Sequence, residues 1–193
     1  MPHGAQLWVA LPDSSRHTAP FFERYVPEPV RVGDAVVRVF IGDLVGSSST
    51  ATVFTPLLGA QVDLPAGASI SLTLDETFEH GLLVDAGEIT MDGVDIPASH
   101  LGYLPPGHAT VTLTAATDAR LLLIGGAPLG EQIVMWWNFI GRDHDEIVGF
   151  REDWQSEVIA GGNPHGRFGT VAGYDGRPLP APELPPVRLK PRG

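Results

Sequence analysis

Three histidines and a short acidic run hold most of the metal or acid–base chemistry open to this sequence. His80 sits in Thr77-Phe78-Glu79-His80-Gly81, just after Asp75 and Glu76; His108 directly follows Pro105-Pro106-Gly107, and His100 lies between. Imidazole nitrogens with one carboxylate suit Fe, Mn, Ni or Cu, and leave positions open for oxygen or a substrate. Donor count is the hard requirement for such a site. The three histidines contain no His-x-His pair, and one or two imidazoles without a placed carboxylate hold a transition metal poorly. His80, His100 and His108 are therefore metal candidates whose plainer reading, ordinary polar residues at strand ends, is preferred. Asp75, Glu76 and Glu79 read as a solvated loop rather than a carboxylate dyad.

Other chemistries find less support. With no cysteine, disulfides, thiolate nucleophiles and thiolate metal sites are excluded, and a reducing cytoplasm is the location that fits. There is no Gly-x-Ser-x-Gly elbow, no Gly-x-Gly-x-x-Gly and no P-loop pattern. Ser47-Ser48-Ser49-Thr50 reads as a loop. A formal net charge of −11, with Lys190 the single lysine, repels phosphate backbones and anionic membrane surfaces, so no direct nucleic-acid or membrane partner is expected. The opening Met1-Pro2-His3-Gly4-Ala5 lacks the charged and apolar regions of a signal peptide. No apolar run approaches the roughly 18 residues of a membrane span, so a soluble protein is expected.

The elements that must position these residues are strands. Ile70, Leu72 and Leu74 alternate with Ser69, Ser71 and Thr73; Ala60, Val62 and Leu64 alternate with Gln61 and Asp63; Val111 and Leu113 alternate with threonines. Period-two alternation means one buried and one wet face. Turn signals recur between the runs, among them Pro65-Ala66-Gly67, Asp85-Ala86-Gly87 and Asp92-Gly93. Short strands at this spacing predict a sandwich or barrel over 34–126. Ala119–Ile124 reads as a run buried on both faces, and Gln6–Leu11 and Ile133–Ile140 as further strands or extended segments. A helix is predicted from Asp143, whose side chain caps it with Glu146 three residues on; Ile147, Phe150, Trp154 and Val158 share one face, and Gly161-Gly162 ends it. The Pro-rich stretch that follows can form neither ladder nor helix, and is extended or disordered.

Trp136 and Trp137 are adjacent, and adjacent strand positions face opposite sides. Either they pack in a core and against the following helix, or they anchor an interface, together with Trp8 and Trp154.

Two segments then match a known skeleton. Val84-Asp85-Ala86-Gly87-Glu88 resembles the glycine-centred turn after the first cupin motif, and Pro105-Pro106-Gly107 resembles the turn of the second. The second motif's histidine would fall three residues after the glycine, where this chain has Thr110. At the start, His3-Gly4-Ala5-Gln6-Leu7-Trp8-Val9-Ala10-Leu11-Pro12 resembles the G-x-Q-L-W-x-N-L-P segment of pirins, with Ala10 in place of the usual Asn. Gly130-Glu131-Gln132-Ile133-Val134, the helix over 143–155 and Arg167-Phe168-Gly169 resemble the later pirin segments, although Trp136-Trp137-Asn138 replaces a Gly-Pro type turn.

The chain therefore resembles the C-terminal part of a pirin-family bicupin. The resemblance implies an all-β cupin (RmlC-like) jelly-roll barrel with one C-terminal helix and an extended tail. It divides the chain into a remnant strand and linker (1–33), the barrel (34–126), a strand and helix (127–170) and a Pro-rich tail (171–193). In pirins three histidines and one glutamate hold Fe or another divalent transition metal in the N-terminal cupin. None of those ligands matches a position here, so no cofactor is expected in this chain and no catalytic residue carries over. The functions implied are a non-catalytic structural or protein-interaction module, a part of a quercetin 2,3-dioxygenase-type oxidoreductase, or a metal-free barrel binding a small molecule near His80 and His108. A homo-oligomer or a partner is expected on the face that the N-terminal cupin covers in the family, or else poor order over residues 1–12.

Overall fold

A computed structural model describes residues 4–161, 165–171 and 173–192. It separates into two compact units. One spans Leu11–Leu129, and the other joins the N-terminal residues up to Ala10 to those from Gly130 onward.

The first unit is two β-sheets. Its strands are β1 (Pro29–Val32), β2 (Ala35–Ile41), β3 (Asp43–Leu44), β4 (Ser47–Ser48), β5 (Leu57–Leu64), β6 (Ser69–Thr73), β7 (Glu79–Ala86), β8 (Ile89–Met91), β9 (Val94–Ile96), β10 (Leu101–Leu104), β11 (Thr110–Ala115) and β12 (Ala119–Gly126). The larger sheet has the order β1-β2-β5-β12-β7-β10 and the smaller β6-β11-β8-β9, with β3 and β4 as a separate ribbon. Every strand pair is antiparallel.

The alternation read from the sequence sets these faces. Ile70, Leu72, Val111 and Leu113 point inward from the smaller sheet, while their serine and threonine neighbours stay exposed. From the larger sheet Val37, Val39, Ala60, Val62, Leu82, Val84, Leu121 and Leu123 complete one core. Each of these eight side chains is essentially removed from water, at about 25 cal/mol for every Å² of apolar area.

Two local devices close the sheets. Asp92 and Gly93 both take positive φ, 49° and 82°, which is what a two-residue hairpin between β8 and β9 requires. Gly87 has φ +92°, and a Cβ there would lie 2.6 Å from the Asp118 carbonyl oxygen, so that turn admits only glycine.

Two expectations change in this unit. β12 is buried on one face only: Arg120, Leu122 and Ile124 are half-buried on the other, because a half-polar outer face of the sheet carries the Arg120–Asp85 and Arg38–Asp63 ion pairs. The sheet begins at Pro29, which pairs with Arg38. Pro has no N–H to donate, and an edge strand tolerates that.

The second unit holds β13 (Val134–Trp136), β14 (Phe139–Gly141) and α1 (His144–Trp154), which runs on into a π-helical turn, Gln155–Ile159. Asp143 caps α1 by accepting the Glu146 N–H at 2.9 Å. Glu146 in turn accepts the Arg142 N–H at 2.7 Å. Ile147 is fully buried, among Val134, Phe139 and Ala181. Of the predicted stop, Gly161 is described and Gly162 lies outside the described residues, as do Met1–His3 of the opening motif.

Ile133–Ile140 is not one strand but a hairpin. Gln6–Leu11 forms no strand among the described residues: an isolated strand leaves its N–H and C=O groups unpaired, and Leu7, Trp8 and Val9 are each partly exposed. The tail is extended along α1. Trp154 Nε1 donates to the Leu179 carbonyl (2.9 Å), the Ala181 N–H donates to Gln155 Oε1 (2.8 Å), and Arg188 makes two hydrogen bonds to Asp145 (3.0 and 2.7 Å). Contrary to expectation, the tail also joins a short ladder: Ile133 and Arg192 exchange two backbone hydrogen bonds of 2.8 Å. Among the described residues, no helix is long and apolar enough to cross a membrane.

Candidate functional site

β7 decides what the barrel can bind. Its pleat sends His80, Leu82 and Val84 inward and Glu79, Leu83 and Asp85 outward. His80 is 2 % exposed, the one buried polar residue among the described residues. Its ring lies 6.1 Å from that of Phe78, and neither ring nitrogen meets a hydrogen-bond partner among the described residues. Burial pushes its pKa down; the Asp75 carboxylate opposes this and the nearby His108 reinforces it. His80 is therefore neutral near pH 7.

The other candidates do not converge on it. Glu79 turns to the outer face, where its carboxylate accepts the Tyr103 hydroxyl at 2.9 Å and raises that phenol's pKa. Asp75 accepts from the Thr77 hydroxyl and backbone N–H, at 2.6 and 2.9 Å, and these bonds hold its carboxyl below the usual range. His100 and His108 are at the surface or half-buried, each with Nδ1 on a backbone carbonyl: Ala98 at 3.1 Å, Pro105 at 2.9 Å.

This donor set does not fit a transition metal. A second imidazole two residues along β7 would have to stand at position 82, which is a leucine packed in the core. No group of three His, Cys, Asp or Glu is gathered among the described residues, and a metal needs at least three such donors in one place. A cavity of about 220 Å³ in the first unit is lined by residues that include Leu44, Leu58, Leu74, Asp75 and Phe78, and neither His80 nor His108 is among them.

Residues 59–160 match the family model described as the Pirin C-terminal cupin domain. The chain belongs to the pirin family. Among its relatives, the Pseudomonas aeruginosa protein PA1205, provisionally named a quercetin 2,3-dioxygenase, is 35% identical over 184 residues, covering 95% of this chain and 56% of its own. A pirin-like protein of Caulobacter vibrioides is 27% identical over 158 residues, covering 79% of this chain and 54% of its own. The crystal structure of a quercetin 2,3-dioxygenase from Acinetobacter baumannii superposes with a TM-score of 0.83 at 30% identity, covering 94% of this chain and 59% of the other. The chain thus spans little more than half the length of the pirin relatives it matches.

Of Trp136-Trp137-Asn138, Trp136 ends β13 and pairs with Phe139, while Trp137 and Asn138 make the turn of the β13–β14 hairpin. Trp137 is not a strand residue: its φ is +50°. The turn swings its indole to the same side as Trp136, so the two do not face opposite ways. Both pack around Phe139, Trp136 stacked at 6.4 Å and Trp137 edge-on at 5.2 Å. Trp137 also meets Trp154 at 6.0 Å, and Trp154 meets Phe168 edge-on at 5.1 Å. Trp8 belongs to the same unit and is 47% exposed. The helical spacing had already put Phe150 on one face with Trp154; Phe139 and Arg167 are the partners of this group that sequence reasoning passed over.

Proposed function

We propose that this chain is a pirin-type cupin module that does no chemistry by itself and serves a structural or protein-interaction role. The observation that carries the reading is the inward face of β7, where one neutral imidazole is followed by Leu82 and Val84. A surface for a partner is at hand on the outer face of the larger sheet. Leu101 and Tyr103 are 56% and 57% exposed on edge strand β10, beside the half-buried Leu83, Leu122 and Ile124. A second copy of the chain, or the metal-binding cupin of a pirin, has the chemistry to cover it, and a cytoplasmic setting fits the cysteine-free sequence. Metal analysis of the purified chain tests the reading: substoichiometric iron, nickel, manganese and copper support it. One tightly held ion per chain, or quercetin turnover by the chain alone, overturns it.

The names of the Pseudomonas and Acinetobacter relatives favour a second reading. In it the chain is one part of a quercetin 2,3-dioxygenase-type oxidoreductase whose metal is held by a cupin outside this sequence. Turnover that appears only when such a cupin is supplied would select it.

A further inference from the structure

The aromatic group of the C-terminal unit is not a closed core. It walls a cleft of about 970 Å³ between α1, the hairpin turn and the tail, a volume in the range of small-molecule sites. Trp137, Phe150, Trp154 and Phe168 form its walls. The rim includes Val171, Tyr174 and Leu179, which are 75%, 62% and 74% exposed. Large apolar side chains left open around one concavity are what a ligand site looks like before it is filled.

The cleft also has a charge of its own. Arg167 and Arg177 line it with one carboxylate, Glu157, so two positive groups less one negative leave it a net +1 in a chain of net −11. Glu157 accepts the Arg167 backbone N–H at 3.1 Å. The Arg167 guanidinium lies over the Phe150 ring, 4.8 Å from its centroid, with no carboxylate partner among the described residues. Arg177 likewise has none. Guanidinium over aromatic walls recognises flat rings that carry an anion.

Two backbone irregularities meet at this cleft. A bulky residue in the left-handed region, as at Trp137, is a conformational outlier that costs about 1–3 kcal/mol. The π-helical turn carries Glu157 and Val158 into the wall, and such turns concentrate at functional sites.

We propose that this cleft binds a planar aromatic anion, a small arene carboxylate or its like, between the tryptophan and phenylalanine walls with its acid group on Arg167 and Arg177. This inference is independent of the reading of the barrel. The test uses the full chain titrated with 2-naphthoate and, separately, with the neutral 2-naphthalenemethanol. Tryptophan fluorescence and the indole N–H resonances, assigned by single Trp→Phe variants, report binding. Saturable binding of 2-naphthoate, with shifts at Trp137 and Trp154 and an affinity at least roughly fivefold above that of the alcohol, supports the proposal. The double variant Arg167→Gln, Arg177→Gln changes two exposed residues and should weaken 2-naphthoate about tenfold while leaving the alcohol unchanged. Absent saturation, equal affinity for acid and alcohol, or an unaffected double variant overturns it. So does a response lost as protein concentration rises, which would mean that a second copy fills the cleft.

Discussion

Gly125 stands directly across from His80 in the register of β12 and β7, and a Cβ on it would lie 2.6 Å from the imidazole Cδ2 and 3.2 Å from Nε2. The buried ring owes its place to a missing methyl group on the neighbouring strand. Gly125→Ala should therefore destabilise the barrel by about 1–3 kcal/mol, the cost of overpacking a closed core. Urea unfolding followed by far-UV circular dichroism measures it. Unchanged stability would mean that the ring shifts freely, against the packing described.

The same imidazole makes stability depend on pH. Its folded pKa lies below the ordinary value of about 6.5 because of burial, so below that pH the unfolded chain binds a proton that the folded chain does not. Stability is then full above about pH 6.5 and falls as pH drops toward the folded pKa. His80→Leu should flatten this acid limb. It should also raise stability at pH 7 by about 1 kcal/mol, since it removes two buried nitrogens without partners. Calorimetric melting of both proteins from pH 5 to 8 would show parallel curves if the idea is wrong.

All four tryptophans, Trp8, Trp136, Trp137 and Trp154, belong to the unit built from the chain's two ends. Their fluorescence reports on that unit, while far-UV circular dichroism is dominated by the strands of the other. Ile147→Ala removes a fully buried side chain from α1 and should cost about 2–4 kcal/mol. The expected record is a fluorescence midpoint moved to lower urea while the β signal holds. Coincident shifts in both would show that the two units unfold together.

Trp137 presents a balance of two terms. Trp137→Gly relieves the left-handed strain of φ +50°, worth about 1 kcal/mol or more, but forfeits ring contacts with Phe139 and Trp154. Trp154→Phe keeps its backbone conformation and loses the hydrogen bond to Leu179, worth about 1 kcal/mol. The double variant should show a coupling energy of about 0.5 kcal/mol or more, because the two indoles touch. Strictly additive melting shifts would deny the contact.

The strands of the first unit were legible because a period of two leaves its mark on every one: Ile70, Leu72, Val111 and Leu113 could face only one way. The helix start at Asp143 was legible because its cap is local. What escaped depended on distant partners. Ala119–Ile124 gives no hint of which side meets water until β5 and β7 flank it. Trp136 and Trp137 were placed on opposite sides because a strand was assumed through a point where the chain turns. The cleft brings Trp137 beside Trp154 and Phe168, and no spacing rule links those positions. The isolation of His80 was half visible: the absence of a His-x-His pair could be read, but not the burial that strips the ring of partners.

The paired hydrogen bonds between Ile133 and Arg192 turn the later part of the chain into a closed circuit, fastened at both ends like a bracelet. A cut inside such a ring breaks the covalent thread without releasing either piece. The exposed bend near Tyr174 is thus a place where the polypeptide could be severed while these bonds still tie the two pieces together.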